Sequence, residues 1–446
     1  MFNRKIIKFF ENWKNRKDRK PLILRGARQV GKTVSVHLFG QKFFKDLIWI
    51  NLEDPEQERL FRDDSLSLED FEKIIQLKFG KFLKEGETLL FIDEIQNSIP
   101  LMKLLRFFYE RRPLLHVIAA GSLLEVKLKK GGFSFPVGRV EYAYLYPLDF
   151  FEFLEARGKE EIVNYLKTVT QKSVIPSSIH EMALKHFYEY LMVGGMPEVV
   201  KTYKTEKNFS ALNRIYNSLL TSYHEDIFKY SSEAKSKYLA HCLENIPLFA
   251  GQTVTYEHFA GSTFKSREIS EAFEILEKVM LLYRAMGTKD FALPLIPKRK
   301  KPPKLIFLDV GLSNYCLGIR DKLIEVKELN EFFRGTVAEQ VVGQHLLTLD
   351  EENPPKIYYW YRDSPGSTAE IDYILTLSGK IVPIKVKSGK TGRLRSLREF
   401  AKISGIKEAI RIYSGQLKKE KIKINDVEFN LISLPFYLLP HLKQII

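Results

Sequence analysis

Residues Gly26–Thr33 read Gly-Ala-Arg-Gln-Val-Gly-Lys-Thr, two glycines separated by four residues and followed by a lysine and a hydroxyl residue. An apolar run precedes them and a stretch with helical spacing follows. In that setting consecutive backbone N–H groups and a helix N-terminus wrap a phosphate, Lys32 reaches the β- and γ-oxygens, and the Thr33 hydroxyl ligates Mg²⁺. The candidate nucleotide-binding residues are therefore Gly26, Ala27, Arg28, Gln29, Val30, Gly31, Lys32, Thr33 and Val34, with Lys32 also catalytic. A second element is Thr88–Glu94, where four apolar residues precede an acidic pair. Alone, such a pair is a common start to a loop. With the phosphate loop upstream, Asp93 is placed to join Thr33 in the Mg²⁺ shell, and Glu94 to orient or deprotonate water. Ser122 closes the next apolar run, Leu114–Ser122. Its hydroxyl could sense the γ-phosphate, or N-cap a helix over Leu123–Lys130. Arg139 precedes a fifth candidate strand and could act as an arginine finger in cis or trans. Equally, it could pair on the surface with Glu141 or another acid.

The elements that must position these groups alternate in type. Apolar runs at Pro21–Gly26, Asp46–Leu52, Thr88–Glu94 and Leu114–Ser122 are separated by stretches of helical spacing such as Leu68–Leu83, which predicts a parallel sheet in an α/β domain over residues 1–155. Residues 156–230 read as a helical lid or linker with a Gly-Gly-Met-Pro turn at Gly194–Pro197. Residues 231–326 suggest a helix-turn-helix: helices over Val254–Ala260 and Ser266–Ala285, a short turn between them, then the proline-punctuated basic run Pro297–Lys304 as a wing or exposed hairpin between two strands. Residues 327–446 open with a helix over Glu328–Leu349 and continue with strands at Lys356–Arg362, Glu370–Leu377 and Ile381–Ser388.

The chain has 446 residues, enough for about three compact units. It is 45% hydrophobic and 28% charged, a globular composition far from that of disordered chains. Lys and Arg number 70 against 55 Asp and Glu, a net charge of +15 that favours polyanionic partners, although a solvated basic surface would look the same. The two cysteines, Cys242 and Cys316, sit in no metal-binding or disulfide pattern. No run approaches the ~20 apolar residues that span a bilayer, and no signal peptide opens the chain, so a cytoplasmic location without membrane contact is expected.

Taken together, the phosphate loop, Asn51–Pro55, Phe91–Gln96, Ala119–Val126, Val137–Phe153, Gly194–Val200, Phe307–Gly318, Glu370–Leu375 and Val382–Gly389 give the chain a resemblance to AAA-type P-loop ATPases of prokaryotic ATP-binding proteins. In these the C-terminal part is a domain of unknown function with a restriction-endonuclease-like fold. The resemblance runs nearly end to end. It implies an ATPase core, a winged helix-turn-helix and a nuclease-like domain, with ATP and Mg²⁺ bound by Lys32 and Thr33, and Asp93 and Glu94 as the second acidic motif.

Nucleases of that fold need an acid on one strand, an acid two residues before a lysine on the next, and often a helical glutamate. Glu339, Asp372 (following Glu370) and Lys387 match, but Lys385 stands where the second acid should be. An ammonium there swings the local charge by two units against a divalent cation, which predicts a degenerate site. The surrounding Lys385, Lys387, Lys390, Arg393, Arg395 and Arg398 could instead bind a phosphate backbone or a protein, or form a solvated face. In the winged module, Lys265 and Arg267 would open the recognition helix, and Lys298, Arg299, Lys300 and Lys301 would form the wing on double-stranded DNA; alternatively the module is a rigid intramolecular lid.

The expected function is ATP hydrolysis coupled to association with uncut nucleic acid. The alternative is a nucleotide-dependent switch acting on a protein partner. Arg139 acting in trans would require a homo-oligomer.

Overall fold

The computed structural model describes residues 2–122, 138–230, 232–298, 300–319, 335–363, 369–377, 379–389, 394–424 and 427–446. Arg299, Lys390, Arg393 and the helix expected over Leu123–Lys130 lie outside them. The chain divides into two compact units, residues 1–146 with 351–353, and residues 147–350 with 354–446.

In the N-terminal unit, β1 Leu22–Arg25, β2 Asp46–Asn51, β3 Thr88–Asp93, β4 His116–Gly121 and β5 Glu141–Tyr144 form one sheet in the order β2-β3-β4-β1-β5. Every pairing is parallel. β3 and β4 are buried at every position, because helices pack against the sheet and leave no strand face for water. Register aligns Asn51 with Asp93, Ile92 with Ala119, and Arg25 with both Gly121 and Tyr144. The strands therefore end together, and the loops after β1 and β3 emerge at the same carboxyl edge, where open α/β sheets take their ligands. The flanking helices carry local start signals. Ser67 accepts from the Asp70 N–H to cap Leu68–Phe79, and Ser98 accepts from the Leu101 N–H to cap Ile99–Arg111.

The C-terminal unit is built on an eight-stranded mixed sheet. Its strands are β6 Leu282–Thr288, β7 Lys304–Phe307, β8 Tyr358–Tyr361, β9 Glu370–Leu377, β10 Lys380–Val386, β11 Glu408–Tyr413, β12 Lys418–Ile424 and β13 Val427–Pro435, in the order β12-β13-β11-β10-β9-β8-β6-β7. Three expectations change here. Val254–Ala260 is not a helix: Val254 and Thr255 are β-branched, Thr253 bridges Lys304, and His258 and Ala260 adopt left-handed backbone. The helix before Ser266–Lys278 is instead Glu233–Asn245. The second helix also stops at Lys278, and Leu282 onward becomes β6. Moreover, the β6–β7 hairpin is no free-standing wing, since β6 pairs in parallel with β8 and joins the large sheet.

A buried polar knot explains several of the motifs that mark the sequence. Asp309, fully buried, accepts from the Gly195 N–H at 2.7 Å and the Leu312 N–H at 2.9 Å. Gln340 bonds both the N–H and the carbonyl of Phe307, Gln344 accepts from the Val310 N–H at 2.8 Å, and Asn314 donates to the Leu191 carbonyl at 2.9 Å. The backbones approach so closely that a Cβ on Gly195 would overlap the Leu148 carbonyl. Gly318 offers a contrast: its φ of 63° is left-handed, but the space around it is open. Gly195→Ala should therefore destabilise the C-terminal unit by more than about 2 kcal/mol, and Gly318→Ala by only about 1 kcal/mol. Urea unfolding of both variants checks the ranking.

Candidate functional site

At the carboxyl edge of the N-terminal sheet, the loop from β1 runs into the helix Lys32–Phe43. Gln29 (φ 65°) and Gly31 (φ 98°) are left-handed, and such alternation of hand turns successive N–H groups toward one concavity. The loop is pressed against β5, so that a Cβ on Gly26 would lie 2.5 Å from the Leu145 carbonyl oxygen. Only glycine fits. Lys32 is buried, and its Nζ donates to the carbonyls of Gly26 (3.0 Å) and Ala27 (2.9 Å). Burial pulls its pKa down, opposed by the charges of Glu94 and Asp93.

The two expected Mg²⁺ ligands meet directly: Thr33 Oγ1 donates to Asp93 Oδ2 at 2.6 Å. Burial pushes the Asp93 carboxyl up to about 6, with the charge of Glu94 adding to it and the Thr33 bond and Lys32 opposing. Glu94 follows in a left-handed conformation, φ 52° and ψ 44°, that turns the chain out of β3. Its N–H donates to Asp93 Oδ1 at 3.1 Å and its carbonyl accepts from Asn97. Its carboxylate accepts from the side-chain amide of Gln96, a buried residue that the sequence reading passed over. The signal was a lone amide two residues beyond the acidic pair, invisible without knowing that the chain doubles back. Gln96 Oε1 has no hydrogen-bond partner among the described residues.

Other expected residues fall differently. Arg28 lies 3.8 Å from Glu53, and Val34 is exposed. Ser122 sits half-buried at the end of β4. Arg139 donates to Glu110 at 3.1 Å with its side chain 44% exposed, while Glu141 pairs with Arg16. Thus Arg139 rests in a surface ion pair with an acid from the helix Ile99–Arg111.

In the C-terminal unit a second cluster forms. Oxygens of Glu339, Glu370 and Asp372 lie within 4.8 Å of one another. Two ammonium groups sit among them. Lys385 Nζ donates to Asp372 Oδ1 at 2.6 Å and to the Glu370 carbonyl at 3.1 Å. Lys304 Nζ meets Glu339 at 2.6 Å, Glu370 at 3.0 Å and the Asp372 carbonyl at 3.3 Å. The remaining Asp372 oxygen accepts from the Val386 N–H at 2.6 Å. Burial pushes the Glu339 carboxyl up to about 7, with Lys304 opposing and Asp372 adding. Burial and the charge of Lys385 pull the Lys387 ammonium down. Lys304 was read as part of an exposed basic run, yet it is 2% exposed because its strand closes the edge of the sheet over these acids. By contrast Lys265, Arg267, Lys300 and Lys301 are exposed and Lys298 is half-buried, with Lys301 4.4 Å above the Tyr361 ring.

Residues 18–154 match the family described as an AAA domain, and residues 184–323 and 334–437 match two domains of unknown function, DUF8612 and DUF4143. The N-terminal unit is thus an AAA-type domain. No curated protein matches the chain. Solved structures include the Thermotoga maritima RuvB Holliday junction branch migration motor, 17% identical, covering 67% of this chain and 93% of that one with a TM-score of 0.28. Another is a signal transduction ATPase with a tetratricopeptide repeat sensor from Pyrococcus horikoshii, 15% identical, covering 78% of this chain and 45% of that one with a TM-score of 0.26. Among the described residues no helix is long and apolar enough to cross a membrane.

The acid–lysine cluster makes a signed prediction. A glutamate whose folded pKa is raised stabilises the fold at pH values below its unfolded pKa and loses that contribution as pH rises through the folded value. With Glu339 at about 7, the loss falls between about pH 4.5 and 7. Lys304→Met removes the ammonium that offsets it. The variant should lose about 3 kcal/mol at pH 8 and distinctly less at pH 5, where the carboxylates can take up protons. Denaturant unfolding at the two pH values measures the difference.

Proposed function

We propose that the N-terminal unit binds ATP with Mg²⁺ and hydrolyses it, and that the nucleotide state governs association of the chain with double-stranded DNA, which it does not cut. The observation that carries the first half is the direct Thr33–Asp93 bond with Glu94 next in the chain, on a sheet edge shared with the phosphate loop. The residues fit a magnesium nucleotide: Asp93 is a carboxylate held from water, and among the described residues Lys32 is an ammonium hydrogen-bonded to neutral carbonyls. Mg²⁺ would be held by Thr33 and Asp93, and when bound it neutralises phosphate charge. Lys32 exchanges the Gly26 and Ala27 carbonyls for phosphate oxygens, a charge-assisted and therefore stronger partner. Glu94, its carboxylate held by Gln96, orients the attacking water and takes its proton.

Support for the DNA reading is the exposure of Lys265, Arg267, Lys300 and Lys301 on a chain carrying a net +15. Support for the absence of cutting is chemical: Lys304 and Lys385 already pair with the three carboxylates that a nuclease would offer to a divalent ion.

Steady-state ATP turnover tests the proposal. Turnover should rise with duplex DNA at low salt, and the stimulation should fade at physiological salt. Glu94→Gln should lose at least about 100-fold in rate while still binding nucleotide, and supercoiled plasmid should stay intact with Mg²⁺ or Mn²⁺. Turnover that depends on Glu94 but ignores DNA would replace the DNA reading with a switch acting on a protein partner. Plasmid nicking lost in Asp372→Asn would overturn the reading of the acid–lysine cluster.

A further inference from the structure

Arg4 precedes the first helix, Lys5–Asn15, yet its side chain is buried, 6% exposed. A buried guanidinium must find oxygen acceptors for its N–H groups. Arg4 Nη1 donates to the Val30 carbonyl at 3.0 Å, and Nη2 donates to the Tyr146 carbonyl at 2.7 Å. The first acceptor lies inside the loop after β1, and the second lies two residues past β5, next to Leu145, whose N–H bonds the Arg25 carbonyl at the end of β1. One side chain therefore clamps the loop to the strand ends that frame it.

The direction of the Val30 carbonyl matters chemically. In a trans peptide the C=O and the following N–H point to opposite sides. With the Val30 oxygen turned to Arg4, the Gly31 N–H is turned away from it. That amide lies between two left-handed residues, Gln29 and Gly31, in the stretch whose N–H groups converge to receive an anion. Gly31 has no Cβ, so its backbone resists rotation less than any other residue's. A flip of the Val30–Gly31 peptide would present a carbonyl oxygen to a phosphate in place of a donor. The charge-assisted hydrogen bond from Arg4 to the Val30 carbonyl opposes that flip, and the second bond, to the Tyr146 carbonyl, anchors the arginine that makes it.

We infer that Arg4 is a positioning residue for the nucleotide: by holding the Val30 carbonyl it aims the Gly31 amide at the phosphate. The inference rests on the ATP-binding reading above. It assigns a part of the phosphate site to a residue that is distant in sequence and touches no ligand itself.

The test is calorimetric titration of the full chain with ADP and Mg²⁺, comparing wild type, Arg4→Met, Arg4→Lys and Lys32→Ala, with ATP turnover and thermal unfolding alongside. Arg4→Met fills the same space without donors. It should weaken ADP binding by at least about tenfold, while kcat at saturating ATP changes by less than about threefold, because the reacting groups are untouched. Arg4→Lys, which keeps one donor group, should recover part of the affinity. An Arg4→Met protein with a lower unfolding midpoint but wild-type ADP affinity would overturn the inference, leaving Arg4 a structural tie. Should Arg4→Met fail to fold, Arg4→Gln takes its place, too short to span both carbonyls, with an expected loss of at least about threefold and the same overturning result. Binding that Lys32→Ala abolishes and the Arg4 variants do not affect overturns this inference alone. No ADP binding by wild type overturns the ATP-binding reading with it.

Discussion

Lys32 and Asp93 carry opposite charges that the protein has taken almost wholly out of water, and the architecture of the N-terminal unit follows from keeping them there. Desolvation works against both ionised forms, pulling the lysine down and pushing the aspartate up to about 6. Carbonyls of the loop and the Thr33 hydroxyl compensate only in part. Such a site gains more from a polyanion with a divalent cation than an exposed one would, because both incoming charges meet partners in a medium of low dielectric. A parallel sheet is what makes the arrangement possible. It ends β1 and β3 together, places β4 between them, and brings residues 60 positions apart to 2.6 Å.

The loop that we propose as the phosphate site stood out in the sequence because its pattern is contiguous: one turn of backbone, one lysine and one hydroxyl, in order. The acidic pair was legible because it closes an unbroken apolar run. Four of the five parallel strands followed from the alternation of such runs with helical spacing, and the fifth was read only as a candidate strand after Arg139. Gln96 and Arg4 were not legible, for different reasons. Gln96 reaches the Glu94 carboxylate only because Glu94 adopts a left-handed turn that folds the chain back on itself. Arg4 acts on backbone carbonyls, which leave no trace in residue type. Arg139 read equally as a finger or a surface charge, and the structure pairs it with Glu110, an acid on a helix that spacing alone could not bring near.

In the C-terminal unit the break in the acid–lysine spacing at Lys385 was readable, and its ammonium does lie on Asp372. Lys304 was misjudged because composition groups it with its neighbours in a basic run, whereas burial depends on strand placement. Lys300 and Lys301 stay outside the sheet, and Lys304 begins β7 and turns inward. The helix expected over Val254–Ala260 failed for the complementary reason, since a pattern only seven residues long cannot outweigh β-branched residues and a tertiary bridge. The glycines at Gly194–Gly195 and the buried Asp309 show why marked motifs need not be functional: they are where three chain segments pass within contact distance.

The central claim, that Thr33 and Asp93 form the cation half of a nucleotide site, is tested most directly by measuring ADP affinity with and without Mg²⁺ in wild type and Asp93→Asn. The account predicts that Mg²⁺ tightens binding in wild type and that Asp93→Asn erases this gain while metal-free affinity persists. Equal enhancement by Mg²⁺ in both proteins would contradict it.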